Sequence, residues 1–198
     1  MTQGVQAQIN ALTETGDAVI LYEDGQWAYV EEPDELDTIL VNDQPFFKDE
    51  TATFLVKSKK IDKGIWINPK EWNFERKNIS EAAEFSFTKK GSEIYAIFIA
   101  EKIEIPVETL GNIALINARN ASPSAKVVKE EYRKVNGVDV LMMQISATIQ
   151  GIEFRYFGYY CSSEKGSLQL LSWTFENSFI DSEAEMAAFL NGLVTIIE

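Results

Sequence analysis

Alternating apolar and polar residues over positions 126–176 predict a run of four antiparallel strands. A short turn that contains glycine separates each strand from the next. The expected strands cover about 126–135, 138–149, 152–163 and 167–176. Their turns lie at Asn136-Gly137, Gln150-Gly151 and Glu164-Lys165-Gly166.

The hairpin between the second and third of these strands has two different faces. A two-residue turn at Gln150-Gly151 pairs Ile149 with Ile152 and fixes the register of the whole hairpin. One face is then almost wholly apolar, and we expect it to form core. The other face mixes polar residues with Phe157 and Tyr159. This mixed face is either covered at its apolar end by another helix or presents those two aromatic residues to a partner.

Helical spacing of apolar residues occurs in two longer segments and one short one. The first long segment begins after a proline and covers about 107–120. The second begins at Ser182, which fits a capping box with Glu185 three residues later. Residues 5–14 predict a further short helix. Amphipathic helices and a long antiparallel sheet must bury their apolar faces against each other, which predicts an α+β domain.

The N-terminal quarter of the chain differs from the rest in charge. Residues 1–50 contain twelve acidic residues and one basic residue, so they carry −11 of the net charge of −13. Two β-rich runs flank Glu23-Asp24-Gly25-Gln26 and predict a hairpin. An acidic turn or a one-turn helix that begins at Pro33 is expected to follow. We therefore expect an acidic N-terminal β-hairpin appendage over 1–50 and an α+β domain over 51–198.

The absence of histidine removes whole classes of chemistry. The 198 residues include no histidine, which excludes Ser-His-Asp and Cys-His catalysis and nearly all catalytic zinc sites. The one cysteine, Cys161, lies in a strand pattern and is expected to be a small buried hydrophobe. The sequence has no phosphate-binding loop, dinucleotide fingerprint or metal-ligand spacing. We expect no cofactor, no metal and no enzymatic activity.

Glu101 is the candidate carboxylate if the protein is an enzyme after all. It shares strand parity with apolar residues such as Ile97 and Ile99, so the pattern predicts a buried carboxylate. Such a group is a general base or ligand-binding acid, or it forms a structural ion pair with Arg155 or Arg133, or it reaches solvent at the strand end. We expect the ion pair.

Charge and aromatic residues together indicate a protein partner. Nucleic-acid binding through phosphate contacts requires clustered positive charge, so this acidic chain is not expected to bind nucleic acid. A basic protein is easier to accommodate. The candidate contact residues are Trp27 and Tyr29 in the predicted hairpin and Trp66 and Trp72 near Pro69, because aromatic side chains carry much of the energy of interfaces.

Localisation follows from two negative patterns. No apolar run is long enough for a membrane span, and the N-terminal residues lack the basic start and apolar core of a signal peptide. The expectation is a cytoplasmic protein, or a periplasmic or lumenal one if an upstream leader has been removed.

The order of the elements resembles the PsbP-like fold group. A short hairpin with "GIWINPKEW" precedes a strand pair, a helix after "IP", a strand, "VNG", a long hairpin, "GSLQLLSWTF" and a C-terminal helix. The group includes the photosystem II extrinsic protein PsbP, the Ran-binding import factor Mog and bacterial DcrB-like proteins. The similarity covers about residues 52–198, and its motif-like parts are Val135 to Gly137 and Ile67 to Trp72. It implies an α-β-α sandwich and a protein that binds or assembles.

Taken together, the sequence predicts a noncatalytic protein-binding or assembly module of bacterial origin that contacts a basic partner. An acidic secretion chaperone or a toxin-neutralising immunity protein is the alternative among binding proteins. The alternative class is an enzyme that uses carboxylate chemistry at Glu101. A closed pocket around an unmatched Glu101 would favour the enzyme, and a fully paired Glu101 would count against it.

Overall fold

The computed structural model describes residues 8–13, 18–22, 25–29, 39–76 and 82–197. The chain divides into two compact units, residues 1–38 and residues 39–198. The charge balance changes near residue 50, whereas the structural division lies earlier, because residues 41–46 form a strand of the main sheet of the second unit. The predicted turn residues Glu23-Asp24, and the acidic turn or one-turn helix expected at Pro33, lie outside the described residues.

The described part of the first unit is a three-stranded antiparallel sheet. Its strands are β1 (Gln8–Leu12), β2 (Ala18–Tyr22) and β3 (Trp27–Tyr29), in that order across the sheet. The helix predicted over 5–14 is wrong where the structure describes it, because Gln8–Leu12 is a strand that pairs with β2. A helix of about ten residues is marginal by itself, so pairing with the β-branched and apolar run of β2 decides the outcome.

The second unit contains eleven of the strands and both helices that the described residues form. The strands are β4 (Val41–Phe46), β5 (Phe54–Lys57), β6 (Lys63–Ile67), β7 (Trp72–Glu75), β8 (Phe85–Lys89), β9 (Tyr95–Glu101), β10 (Lys126–Val135), β11 (Val138–Ile149), β12 (Ile152–Ser163), β13 (Gly166–Phe175) and β14 (Leu193–Thr195), and the helices are α1 (Val107–Ala121) and α2 (Glu176–Leu190). Among these described residues, no helix is long and apolar enough to span a membrane.

In the described part of the chain, eight strands form the main sheet, in the order β4-β10-β11-β12-β13-β9-β8-β7. The strand β4 runs parallel to β10, and every other neighbouring pair is antiparallel. A smaller antiparallel sheet has the order β14-β6-β5. The predicted four-strand run from β10 to β13 is confirmed, as is the pairing of Ile149 with Ile152. The positive φ angles of Asn136 (47°) and Gln150 (52°) are those that two-residue hairpin turns require.

Helix α1 covers the apolar face of the β11–β12 hairpin. Leu110 packs in one buried cluster with Leu141, Met143 and Tyr160. The backbone of α1 comes close to the sheet at Gly111, where a Cβ atom would lie only 2.8 Å from the sulfur of Met143. Glycine therefore permits the close contact between this helix and the sheet.

Helix α2 covers the opposite face, which the sequence leaves ambiguous. Phe157 and Tyr159 are 1% and 0% exposed and belong to one buried cluster with Met186 and Leu190 of α2. Side chains alternate between the two sides of a strand, so the clusters under α1 and α2 lie on opposite faces of the sheet. Of the two readings of the mixed face, coverage by a helix is therefore correct.

The start of α2 differs from the sequence prediction. The helix begins at Glu176, directly after β13, and not at Ser182. No side-chain cap stabilises its first turn; instead Arg155 forms an ion pair with Glu176. Ser182 and Glu185 therefore lie in the interior of α2 and do not form a capping box at its start. The helix ends at Leu190, and Leu193 already lies in β14.

Candidate binding site

A pocket of about 250 Å³ opens in the second unit between α2, the smaller sheet and the start of β7. Three features define it: a wall of aromatic rings, a charged rim formed by carboxylates and one lysine, and two alanines on α2. We call it the β7–α2 pocket. Its main side chains are Trp66, Trp72, Phe189, Glu71, Glu185 and Lys89.

The turn between β6 and β7 positions one side of the pocket. The side-chain oxygen of Asn68 accepts a hydrogen bond of 3.0 Å from the backbone nitrogen of Lys70. The backbone carbonyl oxygen of Asn68 accepts hydrogen bonds from the backbone nitrogen atoms of Glu71 and Trp72. This is the local turn that asparagine before proline favours. It brings Trp66 at the end of β6 and Glu71 and Trp72 at the start of β7 to the same pocket.

The aromatic wall is closely packed and buried on one side and only half-buried on the other. The ring centroids of Trp72 and Phe189 are 4.1 Å apart, and both side chains are buried. Trp66 is half-buried, and the ammonium nitrogen of Lys48 lies 5.4 Å from its ring centroid. That distance is within the range of a cation–π contact. One ring of the pocket therefore already attracts an ammonium group.

The rim of the pocket carries more negative than positive charge. The ammonium of Lys89 lies 2.6 Å from an oxygen of Glu185 and 3.8 Å from an oxygen of Glu71. Lys89 is only 11% exposed, whereas the two carboxylate side chains are about half exposed. Asn68 donates a hydrogen bond of 3.1 Å to the other oxygen of Glu71. A carboxylate has about four acceptor positions, so Glu71 keeps capacity for a further donor.

Asp49 adds a third carboxylate. Its side chain accepts hydrogen bonds from the hydroxyl and from the backbone nitrogen of Thr51, at 2.6 and 2.7 Å. These two hydrogen bonds lower the pKa of Asp49, so the group stays charged in mildly acidic solution. With Glu71 and Glu185 it gives three acids, against Lys89 inside the pocket and Lys48 beside it.

Two small side chains on α2 leave the space that the pocket occupies. Ala184 and Ala188 are one helical turn apart and line the same wall as Glu185 and Phe189. Both alanines are exposed. A larger side chain at either position would project into the open volume.

The structure brings together some of the predicted contact residues and separates others. Trp66 and Trp72 meet in the β7–α2 pocket. Trp27 lies in the first unit with 53% of its surface exposed, and Tyr29 is the last residue of β3. Phe157 and Tyr159 are buried beneath α2, so neither side chain is available to a partner.

Tyr159 instead has a structural role. Its hydroxyl donates to the side chain of Asn191 at 2.8 Å and accepts from Arg133 at 3.1 Å. Burial raises the pKa of Tyr159, although the neighbouring guanidinium of Arg133 opposes the shift. The tyrosine therefore stays neutral and joins β12 to the residue that follows α2.

The prediction of a buried Glu101 is wrong. Glu101 is the last residue of β9, and its side chain is exposed. The buried face of this strand is the opposite one, with Ala96, Phe98 and Ala100. The two arginines expected to pair with Glu101 form ion pairs with other carboxylates: Arg133 with Glu131, and Arg155 with Glu176. Glu101 thus follows the third alternative and reaches solvent at a strand end.

Sequence reasoning missed Phe189, Glu185, Lys89 and Asp49 as pocket residues. The spacing of Phe189 indicates a helix but no functional role, and Glu185 fits the predicted capping box with Ser182. These residues come from segments far apart in the chain, and local spacing does not report their proximity. Within the described ranges, no group of three or more Asp, Glu or Cys side chains is placed to hold a metal ion.

The comparison with solved structures identifies the fold. The solution structure of cyanobacterial PsbP (CyanoP) from Synechocystis sp. PCC 6803 matches with a TM-score of 0.54 and 12% sequence identity, over 72% of this chain and 91% of that chain. The chain has a PsbP-like fold. At this low identity the likeness concerns the fold alone.

Two further solved structures match less well. One is PA94 from Pseudomonas aeruginosa, a protein of unknown function, with 13% identity and a TM-score of 0.46 over 73% of this chain and 98% of that chain. The other is LpqN from Mycobacterium tuberculosis, a protein involved in cell envelope biogenesis, with 13% identity and a TM-score of 0.46 over 65% of this chain and 80% of that chain. No protein-family model matches the sequence, and no curated protein matches it.

Proposed function

We propose that this chain is a noncatalytic binding or assembly module, of bacterial origin, whose ligand is a basic protein. The observation that carries the proposal is the charge distribution. The net charge is −13, and residues 1–38 contain nine acidic residues and no basic one. Such a field attracts a basic partner over a distance and raises the rate of encounter.

The PsbP-like fold suits a module of this kind. An α-β-α sandwich closes both faces of its sheet with helices, so a partner must bind at edges, turns and pockets. The positions of α1 and α2 over opposite faces support this architecture. The β7–α2 pocket opens at such an edge, and the half-exposed Trp27 offers an apolar anchor in the first unit.

The state of the potentially reactive groups supports binding over catalysis. Burial raises the pKa of the Cys161 thiol to about 12, so the nucleophilic thiolate is not formed at neutral pH. Burial also raises the pKa of Tyr160. Glu101 is exposed at a strand end, so the enclosed carboxylate on which an enzymatic reading depends is not there.

The test measures how tightly a purified partner binds the full chain, a shortened chain and a full-length charge variant. The partner is captured by chemical crosslinking in the native host, identified and purified. Calorimetry then measures its affinity for the full chain and for residues 39–198, at low and at high ionic strength. The shorter chain starts at residue 39 because β4, whose Phe46 packs against the core of the second unit, would be lost by a cut at residue 50.

We expect the affinity of the full chain to fall as salt rises, because screening weakens exposed charge interactions. The chain of residues 39–198 should bind more weakly and show a smaller salt dependence. A full-length control with its nine acids before residue 39 changed to Asn or Gln separates charge from the loss of residues. Equal affinity for all three chains, without salt dependence, would contradict the proposal.

A further inference from the structure

The β7–α2 pocket combines the two groups that bind organic cations. Aromatic faces attract an ammonium through their quadrupole, and carboxylates pair with it directly. The pocket places Trp66, Trp72 and Phe189 in one wall and Glu71 and Glu185 on the rim. A site that bound an anion or a purely apolar group would not benefit from this rim.

We infer that the β7–α2 pocket binds a single lysine side chain of the basic partner, with the aliphatic stem against the aromatic wall and the ammonium at the carboxylates. This inference rests on the proposed function and names the contact that the partner makes. The residues that make this one contact all lie in the second unit.

The volume of the pocket supports one side chain as its occupant. Pockets for drug-sized ligands and cofactors measure about 300–1,000 Å³. The β7–α2 pocket, at about 250 Å³, is smaller than that range. It is open at one side, as a pocket must be if its occupant stays attached to another chain. A lysine side chain has an apolar stem and a charged tip, which match the wall and the rim.

The chain's own lysines show that these groups accept an ammonium. Lys89 lies between Glu71 and Glu185, and Lys48 lies over the ring of Trp66. Lys89 is closely paired with Glu185 but is 3.8 Å from Glu71, so Glu71 is better able than Glu185 to accept an incoming ammonium. Among the residues that the structure describes here, three acids against these two lysines leave an excess of negative charge at the pocket.

A metal ion fits the site less well than an ammonium. Calcium and magnesium require six or more oxygen ligands or several bound waters. In the described part of the chain, no cluster of three or more acidic or cysteine side chains is arranged around a common point that could hold a metal. The aromatic wall would add nothing to metal binding but stabilises an organic cation.

The test is an NMR titration of the full-length protein. The probe is a capped peptide with one lysine between pairs of glycines, and the control peptide carries the same lysine acetylated on its side chain. The indole N–H signals of Trp66 and Trp72 report the pocket, and that of Trp173, which stacks on Tyr95 in the sheet, serves as an internal reference. A single side chain should bind with Kd on the order of 1 mM.

We expect the lysine peptide to shift the Trp66 and Trp72 signals in a saturable way and the acetylated peptide to have no such effect. Glu71→Gln should weaken binding about two- to fivefold, as loss of one exposed charge contact does. Glu164→Gln is the matched control, because it makes the same charge change in the exposed β12–β13 turn. Ala188→Leu should abolish binding without a change in charge, because it fills the pocket.

Several results would overturn the inference. Equal binding of the two peptides would show that the ammonium is not recognised. Equal weakening by Glu71→Gln and Glu164→Gln would show that only the net charge matters. No shift at Trp66 and Trp72 would show that the pocket does not take lysine. If the native partner still bound with a salt dependence in that case, the proposed function would stand and the pocket assignment alone would fail.

Discussion

The side-chain amide of Asn136 donates a hydrogen bond of 2.7 Å to the backbone carbonyl oxygen of Leu193. It donates another of 2.7 Å to the carbonyl oxygen of Asn191, and its oxygen accepts one of 3.1 Å from the backbone of Lys48. The backbone nitrogen of Asn136 donates to Phe46. One residue in a hairpin turn therefore joins the end of β4 to the segment that links α2 and β14.

Asn136→Gly should destabilise the protein through the loss of these side-chain hydrogen bonds. Glycine accepts the positive φ angle of this position, so the turn itself is not strained. Three partly buried hydrogen bonds predict a loss of about 1.5–4 kcal/mol in the free energy of unfolding, measured by urea denaturation.

Gln150→Gly is the matched control for that variant. Gln150 occupies the same position of the two-residue turn between β11 and β12, has a φ of 52° and is exposed. Its replacement should change stability by no more than about 0.5 kcal/mol. Similar losses for both variants would mean that turn conformation, and not the hydrogen bonds of Asn136, accounts for the effect.

Leu190→Ala should be strongly destabilising because Leu190 is fully buried at the end of α2. Removal of a buried leucine side chain costs about 2–5 kcal/mol, which a thermal or urea unfolding curve resolves easily. The control on the same helix is Ile180→Ala, because Ile180 is 79% exposed. A shift of the melting temperature below about one degree for Leu190→Ala would place α2 outside the core.

The long hairpins could be predicted from sequence because their signals are local. Asn136-Gly137 and Gln150-Gly151 each determine a turn, and the turn determines the pairing of residues such as Ile149 and Ile152. Alternation then assigns each side chain to a face. No distant part of the chain is needed for these steps, and this is why the predicted and observed strands agree so closely.

The burial of Phe157 and Tyr159 could not be predicted in the same way. A mixed face is compatible with solvent or with a covering helix, and only the position of α2 decides between them. The start of α2 at Glu176 could not be predicted either. The contact at this position comes from Arg155 on β12 and not from a local cap.

In the candidate site, too, residues close together in the sequence could be predicted and residues brought together by tertiary packing could not. Trp66 and Trp72 stand out because two tryptophans flank a single turn. Phe189 and Glu185 reach them from α2, which lies far along the chain. A pocket formed by tertiary packing has no sequence period, so only the structure shows that these four residues share it.

Glu176→Gln should be more destabilising than Glu101→Gln, although each removes one carboxylate. Arg155 contacts both oxygens of Glu176 and also lies 4.8 Å from the ring centroid of Phe179. The pair is partly buried, with 18% and 31% of the two side chains exposed. Hydrogen bonds to charged groups of this kind contribute about 1.5–3 kcal/mol.

Glu101→Gln should change the free energy of unfolding by less than about 0.5 kcal/mol, because the side chain is exposed. Chemical denaturation of the two variants beside the natural protein checks the comparison. If Glu101→Gln lowered the free energy of unfolding more than Glu176→Gln, the result would support the structural ion pair that the sequence predicts for Glu101.

Glu131 should make the stability of the protein sensitive to acid. Burial alone would raise the pKa of its carboxyl group, but hydrogen bonds from Asn42 (3.0 Å) and Arg133 (2.5 Å) outweigh this and hold the pKa below its usual value of 4.5. A carboxyl group with a lowered pKa in the folded state stabilises the protein above the pKa of the unfolded state. That stabilisation is lost as the pH falls through the pKa of the folded state.

Glu131→Gln removes this titration, so the difference in stability between the natural protein and the variant should depend on pH. Near pH 7 the natural protein should be more stable, because its carboxylate is charged and holds both Asn42 and Arg133. Below about pH 4.5 the unfolded chain takes up a proton at this carboxyl group more readily than the folded protein does, so the difference should shrink as the pH falls, until the folded state is protonated as well. Urea denaturation of both proteins at a series of pH values between neutral and strongly acidic measures it. A difference that stayed constant or grew towards acid would show that the contacts of Glu131 do not favour its charged form.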